Sequence, residues 1–393
     1  MRLLYTLTSY PPSVGGAQIH THLLAQAMAP NAVQVITHWS KNRTDWLLGT
    51  TLLQPPAKDY AIDGVSVHSL GFSVYEKIRI LPWLPLYYPF MPQIIPQIAS
   101  ILESHILPFA HKVDVIHNIR MGRENLSYAS LQVAHQINVP FVFTPVHHPR
   151  WVGWRYKAYL DLYRAADAVI AMTNSEKQKL VELSVAPERI HVTGVGPVLA
   201  SSENGEQFRQ KYALSGQIIL FLGQHYPYKG YCQLLQAMPI IWQRFPEAHA
   251  VFIGPSVKSS EQVFAQYSDS RILRLGAVDI QAKTDALAAC DLLCVPSTQE
   301  SFGGIYTEAW SFKKPVIGCN IPAVADVISD GVDGYLTEQK PESIAEKIIY
   351  LLANPAKAAE LGEAGKIKVE TQYSWSKIAE QTYRVYQSVC LGS

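Results

Sequence analysis

Short apolar segments alternate with helical segments along most of the chain, in two successive series. In the first series, strands are predicted over 2–8, 33–37, 65–70, 113–117, 141–144, 168–172 and 190–193, with helices over 17–28, 126–136 and 175–183 between some of them. Parallel strands need crossover helices, and those helices cover both faces of the sheet. The alternation therefore predicts a parallel α/β sheet.

A second series follows a small and polar stretch over 197–205. Strands are predicted over 218–222, 250–253, 272–275, 292–295 and 315–318, with helices over 231–244, 280–289 and 303–312. We therefore expect an α/β fold of two doubly wound, Rossmann-like domains, 1–200 and 201–373, facing each other across a cleft that binds the ligand. The final helix, 374–393, has spare apolar residues at helical spacing and is expected to pack back on the first domain.

Composition narrows the class of protein. The 393 residues suit two domains, and a net charge of +1 argues against a dedicated nucleic-acid binder. Five cysteines match no zinc pattern, and their odd number favours a reducing, cytoplasmic location. The sequence starts directly with a strand-like segment and has no apolar run of about 18 residues, so we expect neither a signal peptide nor a transmembrane helix.

The segment 80–95 is rich in both proline and large apolar residues, reading ILPWLPLYYPFMPQII. The prolines argue against a regular helix or a central strand. One interpretation is an irregular loop packed on the core. The other is an apolar lip that makes peripheral contact with a membrane.

The strongest candidate site is the segment 300–308, which follows a predicted strand and opens a helix. Gly303 and Gly304 allow a ligand to approach the backbone closely, and the N–H groups of a helix start suit a diphosphate. Glu300 is placed to bind sugar hydroxyls and Glu308 to bind a ribose. The alternative is an acidic helix start followed by a surface glutamate.

Three more turns follow predicted strands. Lys229, in the segment 221–230, can neutralise a leaving phosphate, or it lies in an ordinary solvated turn. Gly15 and Gly16 form a weaker signal, because no complete dinucleotide-binding fingerprint surrounds them. His147 and His148 resemble a site, or they are satisfied polar groups in a buried turn.

Metal-binding patterns are not apparent in the sequence. It contains no Asp-x-Asp, so we expect no metal and no other cofactor. Lys229, helix starts and backbone N–H groups would then have to neutralise a departing diphosphate.

Together these segments resemble glycosyltransferase family 4, whose members are retaining enzymes of the GT-B fold. The resemblance is carried by Glu300 and Glu308 with Phe302 and Gly303 between them, by 290–297 before them, and by the D-G-x-x-G-x-L pattern at 330–336. It covers most of the chain and is densest from Gly216 onward.

The resemblance implies roles for several residues. Glu300 contacts the donor sugar, Glu308 holds the ribose and Lys229 binds the diphosphate. The remaining donor-binding residues are expected to be Gly15, Gly16, Gln224, Phe302, Gly303 and Gly304. His147, with His148 as the alternative, contacts the transferred sugar. The first domain binds the acceptor.

One departure from the family pattern concerns the donor. The family usually has an arginine where this chain has Gln224, so one phosphate-binding cation is missing. Arg120, Arg123 and Arg150 are the candidates to compensate. A second departure from the family pattern, at 322–326, leaves the identity of the acceptor undetermined.

The sequence therefore predicts a metal-independent, retaining hexosyltransferase that uses a UDP- or GDP-sugar. The acceptor is expected to be a glycan or a lipid-linked precursor. The alternatives are a nucleotide-sugar epimerase of the same fold and a sugar-binding protein without catalytic activity.

Overall fold

The computed structural model describes residues 1–13, 15–41, 46–120, 124–147 and 157–391. The chain divides into two compact units. Unit 1 comprises Met1–Gly194 together with Trp375–Ser393, and unit 2 comprises Val195–Ser374. Each unit is built on its own sheet, and the predicted α/β class with two Rossmann-like domains is confirmed.

Unit 1 contains an eight-stranded sheet in the order β3-β4-β2-β1-β5-β6-β7-β8. Neighbouring strands are parallel except for β3 and β4. The strands are β1 (Arg2–Thr6), β2 (Ala32–Thr37), β3 (Lys58–Ile62), β4 (Val65–Ser69), β5 (Val115–Ile119), β6 (Phe141–Thr144), β7 (Ala168–Ala171) and β8 (Ile190–Val192).

Helices lie on both faces of this sheet. They are α1 (Gly16–Ala27), α2 (Val74–Ile80), α3 (Met91–Ile106), α4 (Glu124–Ile137), α5 (Lys157–Ala165), α6 (Asn174–Glu182) and the C-terminal helix, which is numbered last below. Short 3₁₀ turns occur at Leu81–Trp83, Leu107–Phe109 and Pro187–Arg189.

Unit 2 contains a six-stranded, all-parallel sheet in the order β11-β10-β9-β12-β13-β14. The strands are β9 (Ile218–Leu222), β10 (His249–Ile253), β11 (Ile272–Gly276), β12 (Leu292–Val295), β13 (Val316–Cys319) and β14 (Gly334–Thr337). Strands β9, β12 and β13 are buried at every residue, as expected for strands covered on both faces.

The helices of unit 2 are α7 (Gly205–Lys211), α8 (Tyr231–Trp242), α9 (Lys258–Phe264), α10 (Ile280–Ala289), α11 (Gly304–Trp310), α12 (Pro322–Ala325), α13 (Pro341–Ala353) and α14 (Pro355–Lys368). A 3₁₀ turn at Pro227–Lys229 precedes α8, and a π-helical turn at Val369–Tyr373 follows α14.

The C-terminal helix α15 (Trp375–Leu391) packs in the core of unit 1. Its Tyr386 side chain is completely buried, and the Tyr386 hydroxyl donates to the Tyr5 hydroxyl oxygen at 3.0 Å. The same Tyr386 oxygen lies 2.6 Å from His117 Nδ1 on β5. The helix thus covers the side chains of the central strands β1 and β5.

The expectation that prolines exclude a regular helix from 80–95 is wrong for the last part of that segment. Helix α3 begins at Met91 and contains Pro92 and Pro96. Pro92 lies in the first turn, where its missing N–H has no helical acceptor, so only Pro96 removes a helical hydrogen bond. Both prolines are exposed, while Ile94, Ile95 and the following apolar residues of α3 are buried.

The apolar segment contains both buried and exposed side chains. Tyr87 and Met91 are buried in the core of unit 1, while Trp83, Leu84 and Tyr88 are partly buried against that core. Leu81, Leu86 and Phe90 remain strongly exposed. Within the described residues, the structure contains no helix whose length and apolar character would allow it to cross a membrane.

Candidate active site

The topological switch point of unit 2 lies between the neighbouring strands β9 and β12. From β9 the chain continues to β10 and β11 on one side, and from β12 it continues to β13 and β14 on the other. Loops diverge at the carboxyl ends of such a strand pair, and ligands of open α/β sheets bind there. Lys229 lies on the loop after β9, and Glu300 lies on the loop after β12.

These two side chains form an ion pair. Lys229 Nζ lies 2.6 Å from Glu300 Oε1, and the two side chains are 19% and 11% exposed. The pair is therefore reachable from solvent but mostly shielded from it. Partial shielding strengthens the field of a positioned cation compared with one in open water.

Close packing holds the two loops together. Gly230, which follows Lys229, has φ +84°, and a Cβ atom there would lie 2.5 Å from the Pro296 carbonyl oxygen. The Gln339 side-chain amide donates to that Pro296 oxygen at 2.7 Å and to the Tyr228 carbonyl oxygen at 2.9 Å. The separation of Lys229 and Glu300 is thus fixed by the backbone as well as by their own charges.

The glycine pair at the start of α11 has two different structural roles. Gly303 has φ +88°, and a Cβ atom there would lie 2.5 Å from Tyr306 Cε2, so the local fold needs glycine. At Gly304 the nearest atom to a built Cβ is Val195 Cγ1 at 3.6 Å, so the protein has room for a side chain. The missing side chain at Gly304 leaves space for a ligand to approach.

Phe302, named from sequence as a donor-binding residue, turns its side chain into the protein. It is 3% exposed and packs edge-on against Tyr373 with ring centroids 5.2 Å apart. Any contact of Phe302 with a ligand would therefore be made by its backbone, and its role in donor binding stays a prediction.

Glu308 lies inside α11 and is almost completely buried. Its Oε1 is 2.8 Å from Lys283 Nζ on α10, and the same ammonium donates to the Val198 carbonyl oxygen at 2.6 Å. Burial raises the pKa of Glu308, and the charge of Lys283 opposes that rise. Glu308 Oε2 is buried without a hydrogen-bond partner among the described residues, so this carboxylate retains an unused acceptor.

Gln224, which takes the place of the usual family arginine, is exposed at the end of β9. The next residue, His225, is fully buried, and neither ring nitrogen has a hydrogen-bond partner among the described residues. Burial lowers the pKa of His225 to about 4, so its ring is neutral near pH 7. It packs beside Phe221, Tyr231 and Phe264 and does not replace the missing cation.

In unit 1, His147 follows strand β6 and is 6% exposed. Its backbone N–H donates to Glu176 Oε1 at 2.7 Å, and its Nδ1 is 3.1 Å from the Tyr163 hydroxyl. Glu176 Oε2 accepts the Met172 N–H at 2.7 Å. Burial raises the pKa of Glu176 to about 7, while the two backbone donors oppose that rise. His147 is thus a buried, hydrogen-bonded residue on a loop held by a buried carboxyl group.

The switch point of the first sheet lies between β1 and β5. Gly15 and Gly16 lie at the start of α1, after β1, and a Cβ atom at Gly16 would meet nothing within 4 Å. Arg120 follows β5, is 4% exposed and places its guanidinium carbon 3.1 Å from the centroid of the Tyr159 ring. The other candidates, His148, Arg123 and Arg150, lie outside the described residues.

Among the described residues, no group of three or more histidine, cysteine, aspartate or glutamate side chains is arranged to hold a metal ion.

Two family models match nearly the whole chain. The model of glycosyl transferases group 1 matches residues 204–368, and the model of the glycosyl transferase 4-like domain matches residues 15–196. The 4-like model therefore falls almost entirely within unit 1, and the group 1 model falls within unit 2. The chain belongs to glycosyltransferase family 4.

Curated relatives of this family 4 chain include the phosphatidyl-myo-inositol mannosyltransferase of Mycobacterium tuberculosis. It is 32% identical over 185 residues, covering 45% of this chain and 49% of that protein. The D-inositol 3-phosphate glycosyltransferase of Kribbella flavida is 27% identical over 248 residues, covering 58% of each protein. The matches thus span about half the length of these relatives.

Solved structures share the GT-B fold of this family 4 chain. The Anabaena protein HepE in complex with UDP has a TM-score of 0.75 and 17% identity, covering 99% of this chain and 100% of HepE. HepE in complex with UDP-glucose has a TM-score of 0.74. The likeness extends over both units and establishes the fold.

The sequence of the family 4 chain did not point to Lys283, Glu176 or His225. Lys283 and Glu176 are single ionisable residues in ordinary helices. His225 lies in the segment 221–230, but nothing in that segment indicates that its ring is buried. The partners of Lys283 and Glu176 are Glu308 and His147, which are 25 and 29 residues away in sequence. Lys283 and Glu176 come close to the predicted site residues Glu308 and His147 only in the folded chain.

Proposed function

We propose that this protein transfers a hexosyl group from a nucleoside-diphosphate sugar, with UDP- and GDP-sugars as the candidate donors, to a hydroxyl acceptor with retention at the anomeric carbon. The observation that carries the proposal is the placement of Lys229 and Glu300 on the two loops at the switch point of unit 2. HepE, which shares the fold, binds UDP and UDP-glucose and supports a nucleotide-sugar donor.

Lys229 is assigned to the diphosphate. Its ammonium is paired with one carboxylate oxygen of Glu300, and a donor diphosphate competes for the same charge. A phosphate oxygen that replaces Glu300 at Lys229 frees that carboxylate to accept hydrogen bonds from sugar hydroxyls. Donor binding and sugar binding are then coupled through one ion pair.

In the reaction, the bond between the anomeric carbon and the diphosphate oxygen breaks as the acceptor oxygen bonds to the same face of that carbon. The departing phosphate oxygen takes the acceptor's proton. Negative charge grows on the diphosphate, and Lys229 and the backbone near Gly303 and Gly304 stabilise it. The protein supplies position and charge, so it needs no side chain as nucleophile.

Glu308 is assigned to the ribose. Its Oε2 has hydrogen-bonding capacity left, and Lys283 keeps the other oxygen fixed and favours the ionised form. A buried carboxylate oxygen that lacks a partner is satisfied by a hydroxyl donor. Lys283 is therefore a positioning residue for the nucleoside.

His147 is assigned to the transferred sugar, and Gly15 and Gly16 to close backbone approach by a ligand, as the family resemblance implies. Metal independence also belongs to the proposal, because Lys229 provides the charge that a cation bridge would provide. Added EDTA is expected to leave turnover intact. Loss of activity restored by magnesium or manganese would contradict that assignment.

The acceptor is proposed to be a glycan or a lipid-linked precursor, and the location cytoplasmic with a peripheral membrane contact. The inositol-lipid mannosyltransferase relative, 32% identical over part of its length, supports an acceptor of the glycolipid class. The match covers only 49% of that relative, so it supports the class of acceptor and not a particular acceptor.

The deciding experiment measures nucleoside diphosphate release from UDP-, GDP- and ADP-sugars with and without candidate acceptors. We expect one donor to be preferred and release to require an acceptor. Conversion of the sugar without any acceptor would identify an epimerase. Donor binding without conversion under any condition would identify a non-catalytic sugar-binding protein.

A further inference from the structure

An exposed apolar surface lies on α2 and the turns after it. It consists of Val74, Tyr75, Ile78, Leu81, Leu86 and Phe90, whose exposure ranges from 41% to 76%. Fifteen large apolar side chains are strongly exposed in the described part of the chain, and these six fall within seventeen consecutive residues. Scattered exposed apolar side chains are ordinary, but a concentration of this kind marks an interaction surface.

The surface is firmly attached to unit 1. Ile80 and Tyr87 are completely buried between its members, and Met91 is 2% exposed. Trp83 and Tyr88 pack partly against the same core. The exposed side chains are therefore presented by an ordered support.

The backbone under the surface satisfies most of its own hydrogen-bonding needs. The N–H groups of Leu84, Leu86, Tyr87 and Phe90 donate to the carbonyl oxygens of residues 81, 83, 84 and 86. Prolines occupy positions 82, 85, 89 and 92 and have no N–H group to satisfy. A backbone with few free N–H groups can approach the apolar part of a lipid surface at little cost, because that part offers no hydrogen-bond partners.

The charge around the surface favours anionic lipid. No acidic residue occurs from 77 to 102, while Arg79 and Lys77 lie on α2 itself. Arg79 is exposed, whereas Lys77 is half-buried and its ammonium donates to the Gln54 carbonyl oxygen at 3.0 Å. The guanidinium carbon of Arg79 lies 5.9 Å from the ring centroid of Tyr75. The nearest acidic group in sequence, Glu76, is engaged by Ser73 and by His105 Nε2 at 2.7 Å. Basic groups beside an apolar face strengthen binding to anionic membranes.

We propose that this apolar surface docks the protein on an anionic lipid bilayer. The exposed side chains enter the headgroup boundary, and Arg79 stays at the level of the phosphates. The self-satisfied, proline-rich backbone favours lipid over a protein partner. The inference deepens the proposed function. It rests on that function in one respect only, namely that the acceptor is lipid-linked.

The test uses the full chain and vesicles of phosphatidylcholine, with or without phosphatidylglycerol, and measures the fraction that sediments with the vesicles. The variant combines Ile78→Ser, Leu86→Ser and Phe90→Ser. The control combines Val181→Ser, Ile280→Ser and Ile367→Ser, three exposed apolar residues from other elements. No sugar donor is present, so failure here is separate from failure of the transfer reaction.

We expect the parent to bind the mixed vesicles more tightly than the neutral ones. The triple variant should bind at least about tenfold more weakly, because three apolar side chains no longer enter the lipid. The control should bind as the parent does. Thermal melting should be unchanged in the triple variant, because all three side chains are exposed.

Three results would overturn the proposal. The first is a parent that does not sediment with the mixed vesicles, and the second is a triple variant that still binds like the parent. The third is a parent that forms a dimer which the triple variant abolishes, since the occupant would then be a second copy of the chain.

Discussion

At the scale of single residues, the ion pair of Lys229 and Glu300 determines what a negatively charged ligand meets in unit 2. The two groups lie on different loops, and Gly230 and Gln339 prevent those loops from separating. Replacing either member leaves its partner largely shielded from water and without its opposite charge. Substitutions here therefore change the charge of the site directly, and they also cost some stability, because one shielded charge is left unpaired.

Lys229→Ala should lower kcat/KM for the donor by roughly 10²–10³-fold, the usual cost of removing one preorganised donor to a developing negative charge. Steady-state kinetics measures this loss. Lys340→Ala is the control, because Lys340 pairs with Glu338 on the surface of the same unit. Activity of Lys229→Ala within tenfold of the parent would remove Lys229 from the phosphate site.

Glu308→Gln should raise the Michaelis constant for the donor with little change in kcat, whereas Glu300→Gln should also lower kcat. The reason is that ribose contacts act alike in the bound state and the transition state, while sugar contacts tighten as the bond breaks. If both substitutions alter only the acceptor constant, the donor has been assigned to the wrong unit.

Lys283→Met should reproduce the donor effect of Glu308→Gln and also destabilise the protein by about 3 kcal/mol, because it leaves a buried carboxylate without its cation. Denaturant unfolding measures the loss. Adding Glu308→Gln to Lys283→Met should recover much of this stability. Equal losses in the single and double variants would mean that Lys283 acts elsewhere.

The contribution of Glu176 to the free energy of unfolding should decrease as the pH rises. Its folded-state pKa is raised by burial to about 7, above the value of 4.5 for an unperturbed glutamate. Its contribution to stability is therefore fully present below about pH 4.5 and is lost as pH rises through 7. The stability of the parent relative to Glu176→Gln should fall by roughly 3 kcal/mol over this range.

Denaturant unfolding at several pH values measures this difference. Glu182→Gln provides the control, because Glu182 lies on the same helix with its carboxylate exposed beside Lys179. A stability difference between the parent and Glu176→Gln that is constant with pH would show that Glu176 does not titrate in this window.

At the scale of elements, the start of α11 combines a structural requirement with an open approach. Gly303→Ala should destabilise the protein by about 1–2 kcal/mol or more, because alanine disfavours φ +88° and its Cβ would collide with Tyr306. Gly304→Ala should leave thermal melting unchanged yet weaken donor binding. Normal donor binding by Gly304→Ala would mean that no ligand approaches this backbone.

The elements show which parts of the fold could be predicted from the sequence. The buried strands around β9 and β12 are continuous apolar runs, so local sequence identified them and their loops. Helix α3 was missed because Pro92 and Pro96 argue against a helix locally, while the buried apolar face of α3 outweighs them. Tertiary packing, which no local pattern contains, decided that segment.

The candidate site was predictable to a similar degree. Lys229 and Glu300 follow strands at recognisable turns, and Glu308 lies in the helix that follows the second of these turns, so their types and positions were informative. Lys283 and Glu176 acquire their roles only through contacts across the fold. The burial that raises the pKa of Glu176 depends on the assembled core and has no signature in a single helix sequence.

At the scale of the whole molecule, α15 belongs to the core of the unit that begins the chain. Tyr386→Phe should destabilise unit 1 by about 1–3 kcal/mol, because buried polar groups on Tyr5 and His117 lose their partner. Tyr383→Phe on the same helix is the control. Hydrogen exchange should report faster opening of β1 and β5 with β9 and β12 unchanged, and equal effects in both sheets would contradict this.

The same helix has a consequence for the order of events during synthesis. The first 194 residues leave the ribosome before the 180 residues of unit 2, and only then does α15 follow. At about 5–20 residues per second, the exposed flank of β1 waits roughly 10 to 40 s for its cover. The half of the protein that is translated first is therefore completed last, and a nascent chain must keep that apolar flank from aggregating meanwhile.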